Sequence, residues 1–301
     1  MKKTLLLCLV LSALSPAAYA DEDTVDNDNT DKKQIYHLSG DVNLVPTVKV
    51  EYGKPRIVIK EVYPVIESET QDDNIDNFNQ LIDSMLKEDI ARFTQEVKDN
   101  QSAQATLEKS AIKNDLTIDF DTSIVNTGKN PIISIRFTMQ TYIAGMAHPA
   151  HYHRVLNYDL YNGHQLTLTD LFQPNSDYLT ILSDYTKNVL SKRLKDKEMI
   201  AVGTAPKEEN FKNWNINPHG LLITFDEAKV APYVYGTQSV LVPYSILKSV
   251  MLPKSAISNC LLHRKRCLQN NLLTGGFIDE AANTPRANSQ HRVLNPVLRQ
   301  S

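Results

Sequence analysis

Apolar residues alternate along much of this chain, and the alternation breaks at clusters of turn-forming residues. Over 42–65 the apolar positions include Val48 and Val50, then Ile57 and Ile59. That is the period of a half-buried strand, and Gly53-Lys54-Pro55 divides it into two. Pro64 has no N–H to donate, which predicts the end of the second strand or an edge position. The period changes over 74–98, where Ile75, Phe78, Ile82, Met85, Phe93 and Val97 recur at steps of three and four. This predicts an amphipathic helix packed on a sheet, with Asp72, Asp73 and Asn74 capping its start. Alternation returns over 116–125 and 132–143 around a loop at 126–131, which predicts an antiparallel hairpin.

A further strand is expected at about 152–161. Asn162-Gly163 then predicts a tight turn with positive φ at both central positions, and a returning strand over 164–168. Leu179, Leu182, Tyr185, Val189 and Leu190 place a second helix over 176–195, followed by a polar loop over 201–210. Strands follow at 211–216, 221–225 and 238–242, and a short helix at 244–252. About eight strands, mostly antiparallel, with single helices between them predict an α+β fold with two main helices packed on one sheet.

The ends of the chain differ from this body. Met1-Lys2-Lys3, an apolar run from Leu5 to Leu14 and Ala18-Tyr19-Ala20 have the form of a secretory signal peptide, 1–20. The expected location is therefore periplasmic or secreted after cleavage near Ala20. Cys8 lies inside the apolar run with no small residue before it, so it does not read as a lipoprotein cysteine. No later stretch is apolar for the roughly 18 residues that a transmembrane anchor needs. An acidic linker is expected over 21–41, an α+β domain over 42–253, and a basic, largely disordered tail over 254–301.

Removing the two leader lysines turns the formal charge from −3 to −5. The tail carries seven Lys or Arg against Asp279 and Glu280, so the body before it is near −10. A body of that sign is a poor candidate for binding nucleic acid; the basic tail could touch an acidic partner or a membrane surface, but a simply solvated tail accounts for it better. Only Cys260 and Cys267 follow the leader. On one continuous helix they would lie about 10.5 Å apart, beyond the roughly 7 Å that a disulfide spans. Either the segment bends and a bridge forms, or both thiols are free.

The distinctive signatures lie between Gly145 and Tyr244. Gly145-Met146-Ala147-His148-Pro149 opens the series. Asn162-Gly163 follows, leading into Leu166-Thr167-Leu168-Thr169-Asp170-Leu171-Phe172, and Ala231-Pro232-Tyr233, Gly236 and Val242-Pro243-Tyr244 close it. Together with Val62-Tyr63-Pro64-Val65, they make 63–251 resemble a particular extracytoplasmic domain. It is the one shared by the ectodomain of the lysozyme-sensing anti-sigma factor RsiV and the N-terminal region of the peptidoglycan deacetylase PdaC. The resemblance implies a role at the cell envelope, binding a protein such as a lysozyme-like hydrolase or a cell-wall glycan. Neither a sigma-binding arm nor a deacetylase domain is recognisable, so those activities do not carry over. The tail after Pro253 departs from the pattern.

Within that frame the loops at 145–153 and 231–237 form the expected contact surface, with His148, Tyr152, Tyr233 and Tyr235 as binding residues. Tyrosine suits such a surface because its ring is apolar and its tip polar. The alternative is an envelope hydrolase or metal-dependent enzyme built on His148, His151 and His153. Two histidines at i and i+2 of a strand share a face, and a loop histidine could complete a zinc or copper site. Asp119 and Asp121 would stand about 7 Å apart on a strand face, and with Glu61 could form a carboxylate pair for glycoside hydrolysis. Ordinary solvent-facing charge accounts for them better. No Gly-x-Ser-x-Gly, His-Glu-x-x-His or phosphate-binding glycine loop occurs, and no cofactor is implied.

Overall fold

A computed structural model describes residues 35–100, 112–126, 131–258, 260 and 267. The expected signal peptide and most of the acidic linker and basic tail lie outside these residues. Seven strands form one sheet in sequential order: β1 (Tyr36–Ser39), β2 (Val42–Gly53), β3 (Ile57–Glu67), β4 (Asn114–Asn126), β5 (Pro131–Tyr142), β6 (Ala150–Asp159) and β7 (His164–Gln165). All neighbours are antiparallel except β3 and β4, which run parallel. Between that pair lies α1 (Asp73–Asp99), the crossover that a parallel connection requires. A second sheet of three strands follows in the order β10–β9–β8, from β8 (Trp214–Asn217), β9 (Gly220–Phe225) and β10 (Gln238–Pro243). Further helices are α2 (Tyr178–Arg193), α3 (Lys197–Gly203) and α4 (Tyr244–Leu247).

The α+β class and the antiparallel majority are as expected, but the strands divide between two sheets and each main helix takes its own. Phe78, Ile82, Phe93 and Val97 of α1 pack with Leu116, Ile118, Ile133, Ile135, Phe137 and Met139 of the large sheet. Leu182 and Leu190 of α2 pack instead with Ile216, Leu221, Ile223, Val240 and Val242 of the small sheet. Each such fully buried side chain contributes about 1.5–3 kcal/mol. The division is set by β5. Its odd residues from Ile133 to Met139 join the α1 core, whereas Ile132 joins the other core. Ser134 and Arg136 are buried as well.

A polar seam runs where β8 and its neighbours meet the large sheet. Ser134 Oγ donates to Asn157 Oδ1 at 2.6 Å and accepts from Asn215 Nδ2 at 2.9 Å. Asn157 Nδ2 donates to the Trp214 carbonyl at 2.9 Å. Arg136 Nη2 meets Asp121 Oδ2 at 2.9 Å, and its Nη1 reaches Thr224 and Ser239. These buried polar groups are tolerated because most of their atoms satisfy one another; Asn215 Oδ1 is an exception among the described residues.

One local expectation resolves to its second alternative and three change. Pro64 does not end β3, which continues to Glu67, but takes the expected edge position, facing Pro46 of β2 on one side and lying beyond the last β4 partner, Glu61, on the other. Two prolines cannot exchange N–H bonds, so this is a non-hydrogen-bonded pair with both nitrogens facing outward. There the flanking strands have already stopped, since β1 reaches only Leu44 and β4 pairs only as far as Glu61.

The Asn162-Gly163 turn is not the tight form expected, since only Gly163 has positive φ. Asp159 organises a longer turn instead. Its carbonyl accepts from Gly163 N at 2.9 Å, and its carboxylate accepts from both nitrogens of Asn162. The returning strand is correspondingly only His164–Gln165. The start of the expected loop over 201–210 belongs to α3, capped by Asp196 on Met199 N. The helix expected over 244–252 stops at Leu247.

Cys260 and Cys267 are bridged, with Cα atoms 5.2 Å apart, so of the two expected alternatives the bridge is the one found. Both sulfurs lie in the second core.

Candidate functional site

The geometry centres on the outer edge of β6. This strand pairs with β5 from Ala150 to Asp159, but with β7 only at Tyr158 and Asp159. Among the described residues no strand covers its other side over 150–156. The N–H groups of His151 and His153 and the carbonyl of Asn157 all point to that side, because each bonds a group outside β5. Alternation then directs both backbone polar groups of Val155 the same way.

Asp226 and Glu227, directly after β9, cap part of this edge. Asp226 Oδ1 accepts from His153 N at 3.0 Å, and Glu227 Oε2 accepts from His151 N at 3.2 Å. The imidazoles join the same carboxylates. His153 Nδ1 lies 2.7 Å from Asp226 Oδ1, and His151 Nδ1 lies 3.0 Å from Glu227 Oε1. Asn213 Nδ2 donates to the other oxygen of Asp226 at 3.1 Å. A bare strand edge invites pairing with another chain, and these two acids take two of the three outward donors over 150–156.

Helix α1 supplies the opposite wall. Asp89 falls on the buried stripe of the helix and is fully inaccessible. Its carboxylate holds two guanidinium groups, Arg92 through Oδ1 and Arg154 of β6 through Oδ2 at 2.9 Å. Arg154 also donates to the Met85 carbonyl and to Glu88, both at 3.1 Å. Arg92 lies over the Tyr152 ring with its guanidinium carbon 4.9 Å from the centroid, a cation–π contact. Burial pushes the Tyr152 phenol above its ordinary value.

Between these walls runs a trough of about 600 Å³. Arg92, Glu96 and Tyr152 line one side, Lys212, Asn213 and Asp226 the other, and the β6 edge as far as Val155 lies between them. Met146 and Ala150 extend the lining into the loop before β6.

The expected site residues divide accordingly. Tyr152 lines the trough. His148 and Tyr233 meet beyond it, with stacked rings 4.1 Å apart at the centroids. Tyr233 donates its hydroxyl proton to the Pro149 carbonyl, which also accepts from His148 Nδ1 at 3.0 Å. Both residues thus tie the loops at 145–153 and 231–237 together. Tyr235 stays on the open surface beside Val234, 49% and 79% exposed.

The three histidines do not gather. His148 engages Tyr233 while His151 and His153 each take a separate carboxylate, and among the described residues no three His, Cys, Asp or Glu converge as a metal site. The three carboxylates are also committed elsewhere. Asp121 pairs with Arg136, Glu61 lies 3.7 Å from Lys49, and Asp119 accepts from Phe120 N.

Sequence reasoning missed Arg92, Glu96, Arg154, Lys212, Asn213 and the Asp226–Glu227 cap. One signal was available: Asp89 continues the apolar spacing of Met85, Leu86 and Phe93, and an acid on a buried stripe requires a cation.

Among the described residues no helix is long and apolar enough to cross a membrane. Residues 169–245 match the family described as "Protein of unknown function (DUF3298)". Over 192 residues it is 30% identical to the peptidoglycan-N-acetylmuramic acid deacetylase PdaC of Bacillus subtilis (strain 168). The match covers 63% of this chain and 38% of that protein, and falls in its N-terminal region. A crystal structure of a DUF3298 family member from Bacteroides fragilis is similar at a TM-score of 0.54 and 17% identity. It covers 73% of this chain and 96% of the other, and so shares the fold.

Proposed function

We propose that this chain is an extracytoplasmic, non-catalytic module that binds peptidoglycan, with the β6 trough as its site. One observation carries the reading: the trough is a pre-formed polar cleft whose two guanidinium groups are oriented by the buried Asp89. Fixing cations before a ligand arrives lowers the ordering penalty of binding. The likeness to the N-terminal region of a protein named for acting on peptidoglycan supports the choice of polymer. The leader-like segment 1–20 supports an address outside the cytoplasm. His151 and His153 are read as structural, because their carboxylate partners also cap the strand edge.

The test is co-sedimentation of residues 21–301 with purified sacculi at low and moderate salt, with lysozyme captured on beads in parallel. The expected result is sedimentation with sacculi at both salt concentrations, weakened by Arg92→Ala. Capture by lysozyme with the sacculi left unbound would replace this reading with a protein partner.

A further inference from the structure

The chemistry of the trough selects one part of peptidoglycan over the other. Sugars are held largely by aromatic faces that stack against the ring. Tyr152 is the aromatic residue lining the trough, and Arg92 covers its face. What remains for a ligand is a strand edge and a set of charges. Glu227 and Asp226 take the outward N–H groups of His151 and His153. The carbonyls of His151, His153 and Val155 and the N–H of Val155 are left facing the ligand side. Such an edge accepts more than it donates. It suits an extended backbone that brings its own N–H groups, the mode in which peptides add to sheet edges.

The charges make the same choice. Arg92 and Lys212 offer cations to a carboxylate from opposite walls, and Glu96 offers a place for an ammonium. Asp226 already accepts at both oxygens. A mixed lining of this kind fits a short zwitterionic peptide and would repel neither end of it. A polyanion would meet Glu96 and Asp226 as well as the cations.

From this we infer that the trough binds the stem peptide of peptidoglycan, in extended form against the open Val155 end of the β6 edge, past the Asp226–Glu227 cap, with a free carboxylate between Arg92 and Lys212. The inference rests on the peptidoglycan reading above and narrows it from the polymer to its peptide.

The test compares intact sacculi with glycan strands freed of peptide by an amidase, using residues 21–301 and two variants. Lys212→Glu changes an exposed residue, so it leaves the fold intact and reverses one cation. Val155→Pro removes the outward N–H without touching a bond to β5, a place where a strand edge accepts proline. Binding to intact sacculi that disappears on stripped strands supports the inference. So does a roughly tenfold loss with Lys212→Glu, the effect of one charged hydrogen bond. Undiminished binding to stripped strands overturns it and leaves the peptidoglycan reading standing. No binding to intact sacculi overturns both. Should Val155→Pro unfold, as seen by circular dichroism, Lys212→Glu decides alone, and unchanged binding by that variant also overturns the inference.

Discussion

Replacing Asp89 by asparagine removes one negative charge from a fully buried position that holds two guanidinium groups. Breaking a buried ion pair from one side typically costs about 3–5 kcal/mol, because the remaining charge stays desolvated. Two features of this site place the expectation at the low end. Arg92 is 48% exposed and can rehydrate, and Arg154 keeps Glu88 and the Met85 carbonyl. The expected loss is therefore about 3 kcal/mol. Urea denaturation at neutral pH should show it as a lower midpoint with an unchanged slope. In a thermal scan it corresponds to a fall of roughly 6–12 °C for a domain of this size. The double variant Asp89→Asn with Arg154→Met removes the stranded cation and should recover part of the loss. A loss below about 1 kcal/mol in the single variant would refute the argument that Asp89 positions the trough.

Gly163→Ala places a Cβ 2.0 Å from Asn74 Oδ1 at a φ of +67°; a destabilisation of about 2 kcal/mol is expected from the left-handed backbone and the clash together, and adding Asn74→Ala should return the clash portion in urea melts. Burial raises the Glu61 carboxyl above its ordinary value, against the opposing pull of Lys49. The folded state therefore binds this proton more tightly than the unfolded state, and the contribution of Glu61 is fully present at acid pH. It is lost as pH rises from the unfolded value through the raised folded one. Glu61→Gln should accordingly match or exceed the parent in stability at pH 7 and lose that advantage toward pH 4; an advantage that grows on acidification would contradict the sign. Replacing both Cys260 and Cys267 by serine opens a short loop with a sequence separation of 7, and should lower stability by about 2 kcal/mol in non-reducing urea melts.

The amphipathic stripe of α1 and the β4–β5 hairpin were legible because their spacing depends on local geometry alone. The two-sheet arrangement was not. Ser134, Arg136, Asn157 and Asn215 alternate with apolar neighbours as solvent-facing residues do, yet they are buried against one another across the seam. Their partners lie up to 103 residues away, as in the contact of Arg136 with Ser239, and no local period encodes such a distance. Helix α3 escaped notice because its seven residues bury only Ile200 and Gly203, too few for a stripe. At the site, Tyr152, His148 and Tyr233 were legible as candidates from composition and loop position. Their division into a trough residue and a loop clasp depends on which faces they meet. Arg154, two residues after Tyr152 in sequence, could have been weighed with Asp89, since both belong to elements whose packing the pattern predicts.

The central claim is that a peptidoglycan fragment lies along the β6 edge, and amide hydrogen exchange with purified soluble muropeptides tests it most directly. The account predicts slower exchange at Val155 and its neighbours in β6 on adding muropeptide, with the exposed Val234–Tyr235 loop unchanged. Protection confined to that loop, or none anywhere at saturating muropeptide, would contradict it.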